Sequence, residues 1–246
     1  MAALLFCLTL GIGAAWGFWN LPPDPAPDEY GNILINRISE KNGVNPVAFS
    51  HWIHRQKYTC RVCHFELEFG MGVNTTGITE EDNRKGKYCG ACHNGKISFG
   101  HDEANCGKCH NGDKGYGKGN FSKLTGLPEA GFGNRIDWSS ALAKGMISPV
   151  NSLSLPPSGS PYDKELLLEA EWSNIPPAVF SHSVHNQWLD CNNCHPDIFN
   201  IKKKTTKHFS MERILQGEFC GACHNNVAFP MRDCRRCHPG MKTSPY

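Results

Sequence analysis

Six copies of the pentapeptide C-x-x-C-H constrain this chain more than any other feature of its sequence. They begin at Cys60, Cys89, Cys106, Cys191, Cys220 and Cys234. This pattern is typical of covalent c-type haem attachment, in which the two thiols bind the haem vinyl groups. The histidine that follows the second thiol reaches the iron as its proximal ligand. The sequence therefore predicts six covalently attached haems c.

The predicted haem-binding residues are the two cysteines and the histidine of each motif. The attaching cysteines are Cys60, Cys63, Cys89, Cys92, Cys106, Cys109, Cys191, Cys194, Cys220, Cys223, Cys234 and Cys237. The proximal iron ligands are His64, His93, His110, His195, His224 and His238.

Three other kinds of cysteine site fit the motifs less well. Zinc ribbons and redox dithiols use C-x-x-C pairs, but neither requires a histidine directly after every second cysteine. A disulfide scaffold gives the six histidines no role. The thirteenth cysteine, Cys7, lies in the apolar N-terminus, where we expect a small buried hydrophobic residue.

The composition predicts a fold that is built around the haems. The 246 residues include 25 glycines and 16 prolines, and long helical or strand patterns are scarce. Each porphyrin is a large apolar plate that supplies the core which the polypeptide lacks. We therefore predict a mostly irregular fold with short α-helices wrapped around a haem core. The formal net charge of +2 omits the haem propionates and indicates no nucleic-acid partner.

The N-terminal hydrophobic segment, residues 1–20, predicts export, because haem attachment of this kind occurs outside the cytoplasm. A cleaved signal peptide fits the short apolar run and the small residues Gly13, Ala14, Ala15 and Gly17, although no basic residue precedes the run. A retained membrane anchor fits the aromatic group that ends at Trp19, and we favour it. Residues 21–43 are then a Pro-rich spacer, with Leu21–Glu29 extended and exposed.

An internal duplication divides the rest of the chain. The segment Val47–His54 (VAFSHWIH) matches Ala178–His185 (AVFSHSVH) at an offset of 131 residues. The first two haem motifs repeat at the same offset, and the third repeats at 128 residues. The sequence thus predicts two trihaem modules in tandem, residues 44–112 (the first module) and residues 175–246 (the second module).

Residues 113–174 form the predicted linker between the modules, and they contain no haem motif. Ile136–Ile147 and Lys164–Trp172 are predicted to be short helices. Ser139 and Ser140 are a weak helix cap. We expect the linker to be structured and to pack against the modules.

Six histidines outside the motifs match the six irons in number. They are His51, His54, His101, His182, His185 and His208. The two F-S-H-x-x-H segments give the strongest indication, because histidines at i and i+3 share one helix face and can reach two adjacent haems. A haem with both axial sites filled favours electron transfer, whereas an open site favours substrate binding.

The order F-S-H-x-x-H, then three C-x-x-C-H motifs, resembles the trihaem cytochrome c7 domain of the class III cytochromes c. The run Gly86–Gly95 is similar to modules of multidomain cytochromes from metal-respiring bacteria. The resemblance implies that the first histidine of each pair ligates the first haem of its module and that the second ligates the second haem. The implied assignments are His51 to the Cys60/Cys63 haem, His54 to the Cys89/Cys92 haem, His182 to the Cys191/Cys194 haem and His185 to the Cys220/Cys223 haem.

The resemblance leaves the third haem of each module open. Family members take its ligand, a histidine or a methionine, from the stretch just before the second motif. In the second module this stretch offers His208 and Met211, and we favour His208. In the first module Thr76–Lys87 offers neither, so His101 is the candidate and Met71 the alternative. A Met/His haem has a higher potential than a bis-His haem.

These patterns and the resemblance predict an exported electron-transfer protein with mostly bis-His haems. The resemblance and the predicted anchor imply electron flow between a membrane quinol-oxidising or respiratory complex and periplasmic or extracellular acceptors, including other cytochromes. The expected location is the periplasmic side of the membrane, with N-terminal anchoring, or the outside of the cell.

Two other functions fit the sequence less well. A multihaem reductase of nitrite, hydroxylamine or a sulfur oxyanion needs an iron with an open site, and the histidines nearly match the haems, so no enzyme activity is expected. A self-assembling protomer of an extracellular cytochrome filament would explain the imperfect ligand set of the first module, but not a retained anchor.

Overall fold

The structure is a computed structural model, which describes residues 21–157, 162–170, 174–199 and 210–242. The predicted anchor or signal peptide, residues 1–20, lies outside the described residues, and so does His208. Within the described ranges, no helix has both the length and the apolar composition needed to cross a membrane.

Short helices joined by irregular chain make up most of the described fold. The α-helices are α1 (His51–Arg55), α2 (Glu80–Arg84), α3 (Cys106–Cys109), α4 (Lys118–Phe121), α5 (Trp138–Ala143), α6 (His182–Asn186), α7 (Cys191–Cys194), α8 (Met211–Leu215), α9 (Gly221–His224) and α10 (Cys234–Cys237). Single 3-10 turns cover Glu40–Asn42, Tyr88–Ala91 and Glu103–Asn105, and a π-helical turn covers Val62–Glu66. The prediction of a mostly irregular fold with short helices is confirmed.

A short antiparallel strand pair precedes the haem motifs of each module. β1 (Asn32–Ile35) pairs with β2 (Val47–Ser50), and β3 (Glu165–Leu168) pairs with β4 (Ala178–Ser181). In both pairs the second strand leads directly into the helix with the two F-S-H-x-x-H histidines, which is α1 or α6. The duplicated structure therefore includes a strand that lies before each predicted module.

The predicted helix over Lys164–Trp172 is wrong in its described part, where Glu165–Leu168 forms β3. Leu166 and Leu168 are partly buried while Leu167 is exposed, as the alternation of a strand requires. Leucine and glutamate favour helices, but a single helical turn is costly to nucleate. Pairing with β4 satisfies the backbone groups of this segment instead.

The Pro-rich segment is less exposed than predicted, because its C-terminal part joins the folded core. Asp28 and Tyr30 are buried. The Asp28 carbonyl accepts a hydrogen bond from Trp52 Nε1 at 3.0 Å. Asn134 Nδ2 donates to the carbonyls of Pro27 and Tyr30 at 2.7 and 2.8 Å. Carbonyls of the segment thus satisfy buried donors from the first module and the linker.

A cluster of three tryptophans lies where the two modules meet the linker. Trp52 comes from α1, Trp138 from the linker helix α5, and Trp188 from the second module. All three are buried. Helix α5 is shorter than the predicted Ile136–Ile147, and its cap is Asp137, whose side chain accepts from Ser140 N at 3.0 Å. The linker therefore packs into a core that both modules share.

A buried ion-pair cluster joins the first haem motif to the second module. Arg61 is only 2% exposed. Its Nε lies 3.0 Å from Asp190 Oδ2, and its Nη1 pairs with Glu66. The guanidinium also donates to three linker carbonyls at 2.9 Å, those of Asn151, Leu155 and Pro156. A buried cation is costly unless it is paired and hydrogen-bonded. In this Arg61 cluster (Arg61, Glu66 and Asp190) the two carboxylates pair with the guanidinium.

Candidate haem-attachment sites

The haem motifs share one local geometry. In the second to sixth motifs the histidine N–H donates to the carbonyl of the first cysteine, with N–O distances of 2.8–3.0 Å. This single turn brings the two thiols and the imidazole to one side of the chain. In the first motif the π-helical turn begins at Val62, and Leu67 N donates to Val62 O at 3.0 Å. Each motif is thus shaped to hold one flat group.

Partial burial affects several of the motif thiols, whereas Cys106 and Cys191 are exposed. It raises the pKa of Cys63, Cys220 and Cys223 to about 12 and the pKa of Cys89 and Cys237 to about 11. Zinc binding and thiol–disulfide exchange both use thiolates, which a raised pKa disfavours. A thioether carries no charge, so its burial costs little. These five thiols fit haem attachment better than they fit zinc or a redox dithiol.

Ten described histidines of the predicted axial set place Nδ1 within 2.6–3.3 Å of a backbone carbonyl oxygen. In the first module the acceptors are Gly31 for His51, Ser50 for His54, Phe69 for His64, Phe99 for His93 and Asn45 for His110. In the second module they are Lys164 for His182, Ser181 for His185, Phe199 for His195, Phe229 for His224 and Pro176 for His238. A carbonyl can only accept, so Nδ1 carries the proton and the Nε2 lone pair is left for a metal.

Three predicted ligand pairs lie at a separation that fits an iron. The ring centroids are 6.5 Å apart for His51 and His64, 6.2 Å for His54 and His93, and 6.2 Å for His185 and His224. Two metal–nitrogen bonds of about 2 Å, together with the two ring radii, also span about 6 Å. Burial lowers the pKa of His51 to about 3 and that of His224 to about 4, so both rings are neutral, as metal ligation requires.

Two apolar clefts are lined by the first two of these ligand pairs. The first cleft has a volume of about 1360 Å³ including its open mouth, and its lining includes His51, His64, Cys60 and Cys63. The second cleft has about 1320 Å³, and its lining includes His54, His93, Cys89 and Cys92. Both are open on one side, so a flat group could enter them from solvent. Among the described residues that line them there is no aspartate or glutamate, so neither lining would repel haem propionates.

Each cleft is lined by cysteines from more than one haem motif. Cys109 of the third motif lines the second cleft, and Cys63 and Cys89 line both clefts. Cys223 of the fifth motif lines the first cleft together with Cys60. The motifs therefore follow one another in space in the order third, second, first and fifth, which crosses from one module to the other.

The two candidate ligands for the third haem of the first module, His101 and Met71, lie in different places. His101 is partly buried, and it adds to the effect of burial in lowering the pKa of His93. Met71 lines the first cleft, which also contains His51 and His64. The structure thus places Met71 at the first haem motif, whereas His101 lies in the chain between the second and third motifs.

The second module has two candidate ligands for its third haem, and the structure describes one of them. His208 lies outside the described residues, whereas Met211 is the first residue of α8 and is partly buried. The corresponding helix of the first module is α2, which begins at Glu80. The Glu80 side chain is 75% exposed and pairs with Arg84. The first residue of this helix is therefore a charged glutamate in the first module and an uncharged methionine in the second.

Glycine is required at the second position of two haem motifs. A Cβ at Gly90 would lie 1.8 Å from Asn83 O, and one at Gly221 would lie 1.8 Å from Ile214 O. These carbonyls belong to α2 and α8, which therefore touch the backbone of the following motif. Gly107, at the same position of the third motif, has open space around it.

We expect Gly90→Ala and Gly221→Ala each to lower the free energy of unfolding of the holoprotein by at least about 1 kcal/mol, because the preceding helix must move away. Gly107→Ala is the matched control and should change it by less than about 0.5 kcal/mol. Urea unfolding followed by circular dichroism measures all three. Equal losses at the three positions would contradict the steric explanation.

Comparison with known proteins places these motifs in a family. A family model described as cytochrome c7 and related cytochrome c matches residues 47–111 and 178–239, which together make up more than half of the chain. No curated protein matched in the sequence search.

Solved multihaem cytochromes are also similar to the chain. The C-terminal hexaheme fragment of GSU1996 is 26% identical over 88% of this chain and 98% of that chain, with a TM-score of 0.28. A c7-type three-heme cytochrome domain is 38% identical over 36% of this chain and 94% of that chain, with a TM-score of 0.28. Dodecaheme cytochrome c GSU1996 is 26% identical over 86% of this chain and 75% of that chain, with a TM-score of 0.30. Because these TM-scores are low, the assignment rests on the family model.

The two matched regions fall within the two modules that the internal duplication predicts. The c-type motifs and the carbonyl-bound imidazoles are what haem attachment and iron ligation require. This chain is a multihaem c-type cytochrome that belongs, through two tandem domains, to the family of cytochrome c7 and related cytochromes c.

Proposed function

We propose that the protein is an exported hexahaem cytochrome that carries electrons along a row of mostly bis-His haems. The observation that carries this proposal is the histidine geometry. Imidazole pairs lie 6.2–6.5 Å apart between ring centroids, and backbone carbonyls hold their Nδ1 atoms. Such pairs would hold an iron from both sides, which would favour electron transfer over substrate binding.

In this proposal each of the six motifs attaches one haem, and the domain division is two trihaem modules, 44–112 and 175–246. The axial pairs are His51 with His64, His54 with His93, His182 with His195 and His185 with His224. Carbonyl partners support these assignments because they set the tautomer and the direction of each ring before a metal binds.

Bound haem supplies the one-electron chemistry, and the residues of this chain set its surroundings. The apolar clefts exclude water from the ligands, and the motif order third, second, first and fifth supports a continuous row between the modules. In the second module, burial and the nearby Cys237 and Cys194 raise the pKa of Cys220, which supports close spacing of its motifs as well.

Haem attachment of this kind occurs outside the cytoplasm, which supports export of the protein. We propose an electron path that matches this location. The donor is a membrane quinol-oxidising or respiratory complex, and the acceptors are periplasmic or extracellular, including other cytochromes. Residues 1–20 anchor the protein on the periplasmic side in this proposal. Fractionation of cells that produce the full chain tests the location, since an anchored protein stays with membranes after a high-salt wash.

Haem counting and spectroscopy of the full holoprotein test the core of the proposal. We expect six haems per chain by mass and by pyridine haemochrome, and a low-spin spectrum that carbon monoxide does not change. A strong high-spin signal with carbon monoxide binding would contradict the electron-transfer role and favour a reductase.

A single ligand substitution gives a sharper prediction. His185→Ala should convert one haem of six to a high-spin form that binds carbon monoxide, because it removes one axial nitrogen. Gln187→Ala, an exposed position just after α6, is the control and should leave the spectrum unchanged. An entirely low-spin His185→Ala protein would show that another group ligates this iron.

The third haem of each module needs its own experiment. In the second module His208→Gln and Met211→Leu distinguish the two candidates, since only loss of the true ligand produces a high-spin haem. In the first module His101→Gln tests His101 in the same way. A methionine ligand would raise the potential of its haem above that of the bis-His haems.

A further inference from the structure

Arg55 places an unbalanced positive charge in the first cleft. It is the last residue of α1. Among the described residues that line this cleft, it is the only side chain with a permanent charge. No described carboxylate lies within ion-pair distance of its guanidinium. A cation at an apolar surface is stabilised by a partner anion.

The polar and aromatic contacts of Arg55 orient it without neutralising it. Its Nη2 donates to the carbonyl of Val227 at 2.8 Å, and its guanidinium carbon lies 5.6 Å from the centre of the Trp138 ring. Val227 belongs to the second module and Trp138 to the linker. Both contacts fix the guanidinium at the junction of the modules, and neither supplies a negative charge.

Arg55 lies close to predicted haem-binding residues of both modules. The cleft that it lines contains Cys60 of the first motif and Cys223 of the fifth. The same lining includes His51, a predicted axial ligand of the first module. One guanidinium therefore shares a cleft with predicted haem-binding residues of each module.

The charge is specific to the junction, because the duplicated helix lacks it. Helix α6 corresponds to α1, and its last residue is Asn186, which is exposed. The F-S-H-x-x-H helix therefore does not itself require an arginine at this position. Arg55 occurs in the copy whose helix contacts the other module.

Resting on the haem sites proposed above, we infer that Arg55 is the counter-ion of a haem propionate at the junction of the first and fifth haem sites. Its positive charge favours the reduced state there, because reduction adds an electron near a fixed cation. Arg55 is in this sense a positioning and tuning residue of the step that passes electrons between modules.

Redox titration of the holoprotein, followed haem by haem, tests this inference. In Arg55→Met we expect the reduction equilibrium of one or two haems to shift at least tenfold toward the oxidised form, which is 59 mV for a one-electron couple. The other haems should keep their potentials. Arg55→Lys keeps the charge and should retain most of the wild-type potential. Arg84→Met removes the same charge from an exposed site and should shift none.

The outcomes separate this inference from the proposed function. If Arg55→Met holds six low-spin haems and titrates like Arg84→Met, the inference is wrong and the proposed function stands. Fewer haems or a high-spin wild-type protein count against the proposed function instead. If Arg55→Met does not fold, a density map of the wild-type holoprotein decides. A propionate oxygen within hydrogen-bond distance of the guanidinium supports the inference, and a guanidinium bound only to Val227 and Trp138 overturns it.

Discussion

Replacing Arg61 with methionine is expected to lower the free energy of unfolding of the holoprotein at pH 7 by about 3–5 kcal/mol. The substitution removes the cation between Glu66 and Asp190, whose side chains are 2% and 1% exposed. Two buried carboxylates then keep only their backbone N–H donors, and the cation that balanced their charges is gone. The linker carbonyls that Arg61 binds also lose their donor. Urea unfolding followed by far-ultraviolet circular dichroism measures the loss.

An exposed arginine provides the matched control for this prediction. Arg84 pairs with Glu80, and their side chains are 57% and 75% exposed. Arg84→Met should therefore cost less than about 1 kcal/mol. Adding Asp190→Asn to Arg61→Met should restore part of the lost stability, because one buried charge is removed. An Arg61→Met protein as stable as the Arg84→Met protein would contradict the role of the Arg61 cluster.

Replacing Glu66 with glutamine should cost about 2 kcal/mol at pH 7, and most of this cost should be gone at pH 2. Burial opposes ionisation of Glu66, but its carboxylate accepts hydrogen bonds from the backbone N–H groups of Leu153, Ser154 and Leu155 at 2.9–3.2 Å. With Arg61, these bonds lower its pKa from 4.5 to about 2. A carboxyl group with a lowered pKa stabilises the fold above its unfolded pKa, and this stability is lost as the pH falls toward the folded value.

The measurement is the difference in unfolding free energy between wild type and Glu66→Gln at several pH values from 7 to 2. Other titrating groups occur in both proteins and cancel in the difference. Glu68→Gln, an exposed position two residues later, is the control and should give a small difference at every pH. If the Glu66→Gln difference were constant with pH, the shape of the side chain rather than its charge would be responsible.

Haem attachment and tandem organisation could be predicted because local spacing determines both. The thiols and imidazole of C-x-x-C-H must lie on one turn, so the pentapeptide alone specifies the chemistry. The repeat of VAFSHWIH as AVFSHSVH likewise implies a repeated structure. The family match at residues 47–111 and 178–239 agrees with that inference.

Contacts between distant residues could not be predicted in this way. Arg61 occupies a variable position of its motif, and its partner Asp190 lies 129 residues later in the chain. Glu165–Leu168 has a helix-forming composition, and only its pairing with β4 makes it a strand. The burial of Asp28 likewise depends on Trp52, 24 residues away, whose indole needs a carbonyl partner. Such features depend on the folded whole and leave little pattern in the local sequence.

Main-chain atoms, rather than side chains, orient the ten carbonyl-bound imidazoles. Every amino acid supplies a backbone carbonyl, so a change at Asn45, Phe69 or Phe99 alters a side chain but keeps the acceptor for His110, His64 or His93. The ligand directions are thereby insulated from most point substitutions. Lineages of this protein can diversify their surfaces, and hence the partners they meet, while inheriting an unchanged arrangement of iron ligands.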